Sequence, residues 1–132
     1  MPWSTRLVTD VPIVETTFVG IVLKAELLEA VQSSLRLAME HQTRYFLADC
    51  RALSGGHSVF DLYEIGESID RGESRERLVE ALLLPALPAA AENVQFWETL
   101  GLNRGHGLRV FTDRGEALAW LGDQARREVQ GE

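Results

Sequence analysis

From Val14 onward, short apolar runs alternate with segments whose apolar residues recur every three or four positions, and the alternation repeats four times. Strands joined by crossover helices bury their apolar surfaces only as a layered sheet, so the pattern restricts the chain to an α/β domain. "IVETTFVG" (13–20) is short and β-branched, and "RYFLAD" (44–49) is aromatic and apolar. "VEALLLP" (79–85) is a nearly continuous apolar run of the kind covered on both faces, and "LRVF" (108–111) is the last strand. A further run, "RLVT" (6–9), is separated from the first of these by "DVP" and reads as its hairpin partner. The expected architecture is a mixed, mainly parallel sheet of about five strands with four helices.

The helices follow from spacing. Leu27, Leu28, Val31, Leu35, Ala38 and Met39 share one face of a helix from Lys24 to about His41, with Glu26, Glu29, Gln32, Ser33, Arg36 and Glu40 between them. A second helix is expected from Val59 to about Arg71 with Leu62, Ile65 and Ile69 inward, followed by a charged turn at "GES" (72–74). Pro88 suits the first turn of a third, because its missing N–H costs little there. Ala91, Val94, Trp97 and Gly101 would line that helix's inner face, and Gly105 would end it with a positive φ. Thr112 or Asp113, with Glu116 three or four residues on, predicts an N-cap for a final helix to about Arg127. Ala117, Leu118, Leu121 and Ala125 share its apolar face, and "EVQGE" reads as a frayed tail.

With 132 residues and no interior linker or repeat, residues 1–132 read as a single domain. A formal net charge of -7 opposes a polyanionic partner, since nucleic-acid binding is mostly phosphate neutralisation by Lys and Arg. The single cysteine, Cys50, cannot form an internal disulfide, and "MPWSTRLVTD" lacks the basic and apolar stretches of a secretory signal. Both point to the cytoplasm. The greasiest stretch, "ALLLPALPAAA" (81–91), is interrupted by two prolines and falls well short of the roughly 20 residues a transmembrane helix needs.

In a parallel sheet the loops leaving the carboxyl ends gather along one edge, where ligands usually bind. "DCRALSGGHS", "PALP" and "TDR" should therefore meet, which makes Asp49, Cys50, Arg51, Pro85, Leu87, Pro88, Thr112 and Asp113 candidate edge residues. Within "FLADCRALSGGHSVFDLYEIG", Ser58 or Cys50 would be the nucleophile of a small hydrolase, with His57 as base and Asp49 or Asp61 as orienter. No G-x-S-x-G elbow supports that reading. The stronger one makes Ser58 the N-cap of the following helix, accepting from the N–H near Asp61, while Gly55 and Gly56 supply the turn. An exposed helix start also tolerates an anion, so a phosphate on Ser58 would add charge to a docking surface. His41, His57 and His106 lack metal-ligand spacing, and "GLNRGHG" precedes a strand instead of following one. Neither a metal nor a cofactor is expected. The "ALLLPALPAAA" stretch would wall an apolar pocket or lie against a lipid surface.

"FVGIVLKAELLEA", "YFLADCRAL" and "RVFTDRGEALAWL", the last with an Ala-x-x-Trp-Leu ending, resemble SpoIIAA-like proteins of the STAS superfamily over roughly residues 10–125. That resemblance implies the fold of bacterial anti-sigma-factor antagonists. In antagonist members a serine or threonine at the start of the helix after the central strand binds a partner kinase and is phosphorylated by it. Ser58 occupies the comparable place, within His57-Ser58-Val59-Phe60 where those members read Asp-Ser-Ser-Gly or similar. The branch is also similar to CRAL-TRIO lipid-binding domains, which implies apolar ligands or peripheral membrane contact. The leading expectation is a non-enzymatic regulatory or binding module that docks a protein through His57, Ser58, Phe60 and Tyr63. An apolar-ligand or lipid carrier is the alternative and a hydrolase the third reading. Two-fold assembly is the commonest oligomer, so a homodimer is the one to expect.

Overall fold

The computed structural model describes residues 2–8, 11–72 and 76–129. Strands β1 (Trp3–Val8), β2 (Ile13–Ile21), β3 (Tyr45–Gly55), β4 (Val79–Leu83) and β5 (Gly107–Phe111) form one sheet in the order β1-β2-β3-β4-β5. β1 is antiparallel to β2, and the other neighbours are parallel. The helices are α1 (Lys24–Glu40), α2 (Val59–Asp70), α3 (Pro88–Asn103) and α4 (Arg114–Val129).

Strand order never reverses, so successive crossovers of the usual right hand all fall on the same side of the sheet. Leu27 and Ala30 of α1, Leu62 and Ile65 of α2 and Val94 of α3 accordingly share one core with Ala48, Cys50, Leu82 and Leu108. Among the described residues only α4, after the last strand, covers the opposite face, where Ala117 and Leu121 pack on Tyr45, Leu47, Val79, Ala81 and Leu83. Alternation along β3 and β4 divides their side chains between these two cores. Leu47, Leu83 and Leu121 are fully buried, each stabilising the fold by about 1.5–3 kcal/mol.

Several boundaries differ from expectation. β1 begins at Trp3 instead of Arg6; Thr9, Asp10, Glu73 and Ser74, from the expected strand end and turns, lie outside the described residues. β3 continues to Gly55 where "LSGGHS" suggested a loop, because β2 extends equally far and pairs Val19 with Ala52, Gly20 with Leu53 and Ile21 with Gly55. Tertiary pairing overrides the local turn signal there. β4 stops at Leu83, two residues before Pro85. Ala90 is buried on α3 while Ala91 is half-buried. Asp113 caps α4, accepting from the Glu116 N–H at 2.9 Å, and the helix runs past Arg127 to Val129. The rest of the expected frayed tail, 130–132, lies outside the described residues.

One turn positions α2 against the end of β2. The Val22 N–H donates to the Gly55 carbonyl at 2.9 Å, and the His57 Nδ1–H donates to the Val22 carbonyl at 2.8 Å. Between them Gly56 takes φ 112°, and a Cβ there would lie 2.6 Å from the Val22 oxygen. Gly56→Ala therefore meets both backbone strain and a collision with main chain. Its expected cost is about 2–4 kcal/mol in urea-unfolding measurements, and a denaturation midpoint equal to wild type would refute this account of the turn.

Candidate functional site

The carboxyl ends of β2 to β5 share one edge, so the loops carrying Asp49 to Ser58, Pro85 to Pro88 and Thr112 to Asp113 leave the sheet there. With no reversal in strand order, however, the sheet has no topological switch point and hence no crevice of that origin. The sheet also sorts the expected residues by side. Asp49 and Arg51 stand on the α4 side, Cys50 points into the three-helix core, and Pro85 is buried. Leu87, Pro88, Thr112 and Asp113 are exposed at the edge.

On the α4 side the charged groups neutralise one another. Arg51 grips Asp49 with Nε at 2.9 Å and Nη2 at 2.8 Å, and those bonds hold its carboxyl below the usual range against desolvation. Glu15, only 3% exposed, accepts from Arg114 Nη2 at 2.7 Å and Nε at 3.0 Å and from Arg6 Nη2 at 3.0 Å. Arg114 above all holds that carboxyl low, with Arg6 adding to it. Bidentate pairs of this kind are the strong form of the ion pair, and both carboxylates are satisfied. The cluster ties α4 to the first hairpin and presents no unpaired acid.

The stretch around Ser58 resolves into a helix start. Ser58 Oγ accepts from the Asp61 N–H at 3.1 Å, and the Asp61 carboxylate accepts from the Ser58 N–H at 2.9 Å, a reciprocal capping box. His57 Nδ1 is committed to the Val22 carbonyl, and its own carbonyl accepts from Asn93 Nδ2 at 3.1 Å, which ties the turn to α3. Burial pushes the Cys50 thiol well above its usual range, so the thiolate a nucleophile needs does not form at neutral pH. Among the described residues no group of three or more His, Cys, Asp or Glu side chains is placed to hold a metal ion. No described helix is long and apolar enough to cross a membrane.

Near this helix start several large apolar side chains are exposed among polar ones. Phe60 is 65% exposed, and Ile21, Leu23, Val59, Tyr63 and Leu87 are exposed on the neighbouring strand end, helix starts and first turns. Lys24 pairs with Glu64 across α1 and α2, holding the two helices together at this end. Grouped exposure of large apolar side chains marks an interaction surface more often than scattered single ones do.

Beneath the helices lie two apolar cavities of about 70 Å³ each, lined from α1, α2, α3 and the sheet and sharing Val31, Glu80 and Trp97. Glu80 Oε1 accepts from Trp97 Nε1 at 2.8 Å. Glu80 is half-buried and lines both cavities, and desolvation pushes its carboxyl up to about 7 against the lowering effect of the Trp97 bond. Neither residue figured among the expected site residues. The signal lay in "VEALLLP": an acid inside a strand apolar on both faces is buried, and period two places it on the same side as Leu82.

Two outcomes are expected. Ser58→Ala removes the cap acceptor and should cost about 1 kcal/mol in chemical denaturation. Folded Glu80 keeps its proton up to about pH 7, whereas unfolded it releases it near 4.5. Between those values the folded chain binds more protons, so this residue's contribution to stability falls as pH rises. Glu80→Gln should thus stabilise the protein by up to about 3 kcal/mol above pH 8 and change little near pH 4. Denaturation curves of the two proteins that stay parallel from pH 4 to 8 would contradict it.

No family model matches the sequence, and no curated protein matches it. Among solved structures the chain is similar to an uncharacterised DUF3478-family protein with a SpoIIAA-like fold from Shewanella loihica PV-4. The two share 19% identity with a TM-score of 0.54, over 90% of this chain and 93% of the other. Five strands in unbroken order, an antiparallel first pair and four helices give this chain the SpoIIAA-like fold.

Proposed function

We propose that this chain is a non-enzymatic binding module that docks a partner protein on the helix start at Ser58. The observation that carries the reading is the exposed apolar surface of Ile21, Leu23, Val59, Phe60 and Leu87 around that helix start. Burying such side chains is worth about 25 cal/mol per Å², and aromatic residues dominate interface energies. A net charge of -7 favours a protein over an anionic bilayer as the occupant.

Ser58 is exposed and begins the helix that carries Val59 and Phe60. A phosphate there would stand beside the Asp61 carboxylate and bring up to about two negative charges into an apolar contact. Modification at Ser58 would then release the partner. Ser58→Asp tests this cleanly, because Asp caps a helix as well as Ser does and the fold is retained. Both Ser58→Asp and Phe60→Glu should lower partner capture by ten-fold or more in affinity pull-downs from the native cytoplasm, with unchanged circular dichroism. Capture equal to wild type by both variants would exclude this surface.

The cavities favour a second reading, uptake of a small apolar molecule between α1, α2 and α3. Their walls include Phe18, Leu27, Val31, Leu62, Ile65 and Leu82. Native mass spectrometry of the purified protein after incubation with apolar extracts should then show a retained adduct, and bare protein throughout would leave the docking reading alone.

A further inference from the structure

The two outer strands of the sheet are finished differently. At β5 the Val110 N–H donates to the Glu98 carboxylate of α3 at 3.1 Å, so a side chain of the same chain closes part of that edge. β1 lacks such devices: it contains no proline, pairs with β2 without a bulge, and carries one charge, Arg6, which is drawn onto Glu15. No described strand pairs on its outer side. The bonds to β2 fix which groups point there. The Val19 N–H donates to the Pro2 carbonyl at 2.8 Å, in line with a register that pairs Trp3 with Phe18 and Val8 with Ile13. Hydrogen-bonded pairs alternate along an antiparallel ladder, so Ser4, Arg6 and Val8 bond inward to β2. Trp3, Thr5 and Leu7 therefore turn their N–H and C=O groups outward.

We propose that β1 pairs antiparallel with β1 of a second copy of this chain, about a two-fold axis at Thr5, so that two sheets join into one. An open edge is a template for another strand, and the side chains of this one select a second copy and its register. With the axis at Thr5, every outward N–H meets an outward C=O: Thr5 pairs with its own equivalent, and Trp3 with Leu7 of the partner subunit. Trp3 and Leu7 are half-buried on the α1 side, so each of these pairs sets an aromatic side chain against an aliphatic one. Thr5 opposite its equivalent is a favourable cross-strand pair as well. On the α4 side Ser4 faces Arg6 of the partner subunit, and no like charges stand opposite each other. Other registers do worse. An axis at Arg6 sets two guanidinium groups face to face, and an axis at Ser4 separates Trp3 from Leu7. The net charge of -7 resists self-association, yet β1 brings no acidic side chain to the seam.

The test combines sedimentation of the full chain, over a dilution series from millimolar to micromolar, with isotope-filtered NMR on a mixture of labelled and unlabelled protein. The paired form predicts twice the monomer mass at the concentrated end. It also predicts intermolecular contacts between the α-protons of Ser4 and Arg6, which face each other where the ladder is not hydrogen-bonded. Thr5→Pro removes the outward N–H at the axis and leaves the bonds to β2 in place, a position where an edge strand tolerates proline. It should weaken self-association by about ten-fold or more. Thr5→Val keeps that N–H and should leave the dimer intact, as should Phe60→Glu on the separate surface near Ser58. The wild-type α-proton contacts stand by themselves should Thr5→Pro not fold. A monomer mass at every concentration would overturn the proposal, and so would a dimer without those contacts. A dimer kept by folded Thr5→Pro and lost in Phe60→Glu would move self-association to the start of α2 and overturn it as well.

Discussion

The handedness of the crossover connection organises this molecule. Because each parallel strand is added on the same side of the last, α1, α2 and α3 are driven onto one face of the sheet and only α4 is left for the other. The two faces then solve different problems. Three helices over one sheet must accommodate one another as well as the strands, and the space they fail to fill between them is where the cavities lie. One helix cannot cover the sheet alone. The strip it leaves over β1 to β3 carries Arg6, Glu15, Asp49 and Arg51, which close on each other and on Arg114.

The same constraint decides which expected edge residues belong together. Neighbours in sequence such as Asp49 and Cys50 fall on opposite sides of a strand, so a reading by proximity groups residues that the pleat separates. Asp49 joins an ion-pair cluster and Cys50 a hydrophobic core. Accessible at the carboxyl edge are the Ser58 cap, the exposed apolar side chains of the neighbouring segments, and Pro88, Thr112 and Asp113.

Legibility followed the range of the interactions. The α/β class, the hairpin and the four helices were readable because their apolar periodicities are local, and the Ser58 cap was readable from four consecutive residues. The extension of β3 through Leu53 to Gly55 was not, because its partner is the far end of β2, some thirty positions earlier in the chain. Residue-type searches for nucleophiles and metal ligands passed over Glu80, whose interest comes from what surrounds it and not from a motif. Its position inside "VEALLLP" did carry a burial signal, but the partner, Trp97, is set by how α3 lies across β4.

The clasp between Arg114 and Glu15 joins residues 99 positions apart, from the second strand to the first turn of the last helix. During synthesis the sheet face that receives Ala117 and Leu121 must wait until α4 has left the ribosome. Until then Tyr45, Leu47, Val79, Ala81 and Leu83 have no cover, so the nascent chain carries a greasy flank that any truncation before α4 would make permanent.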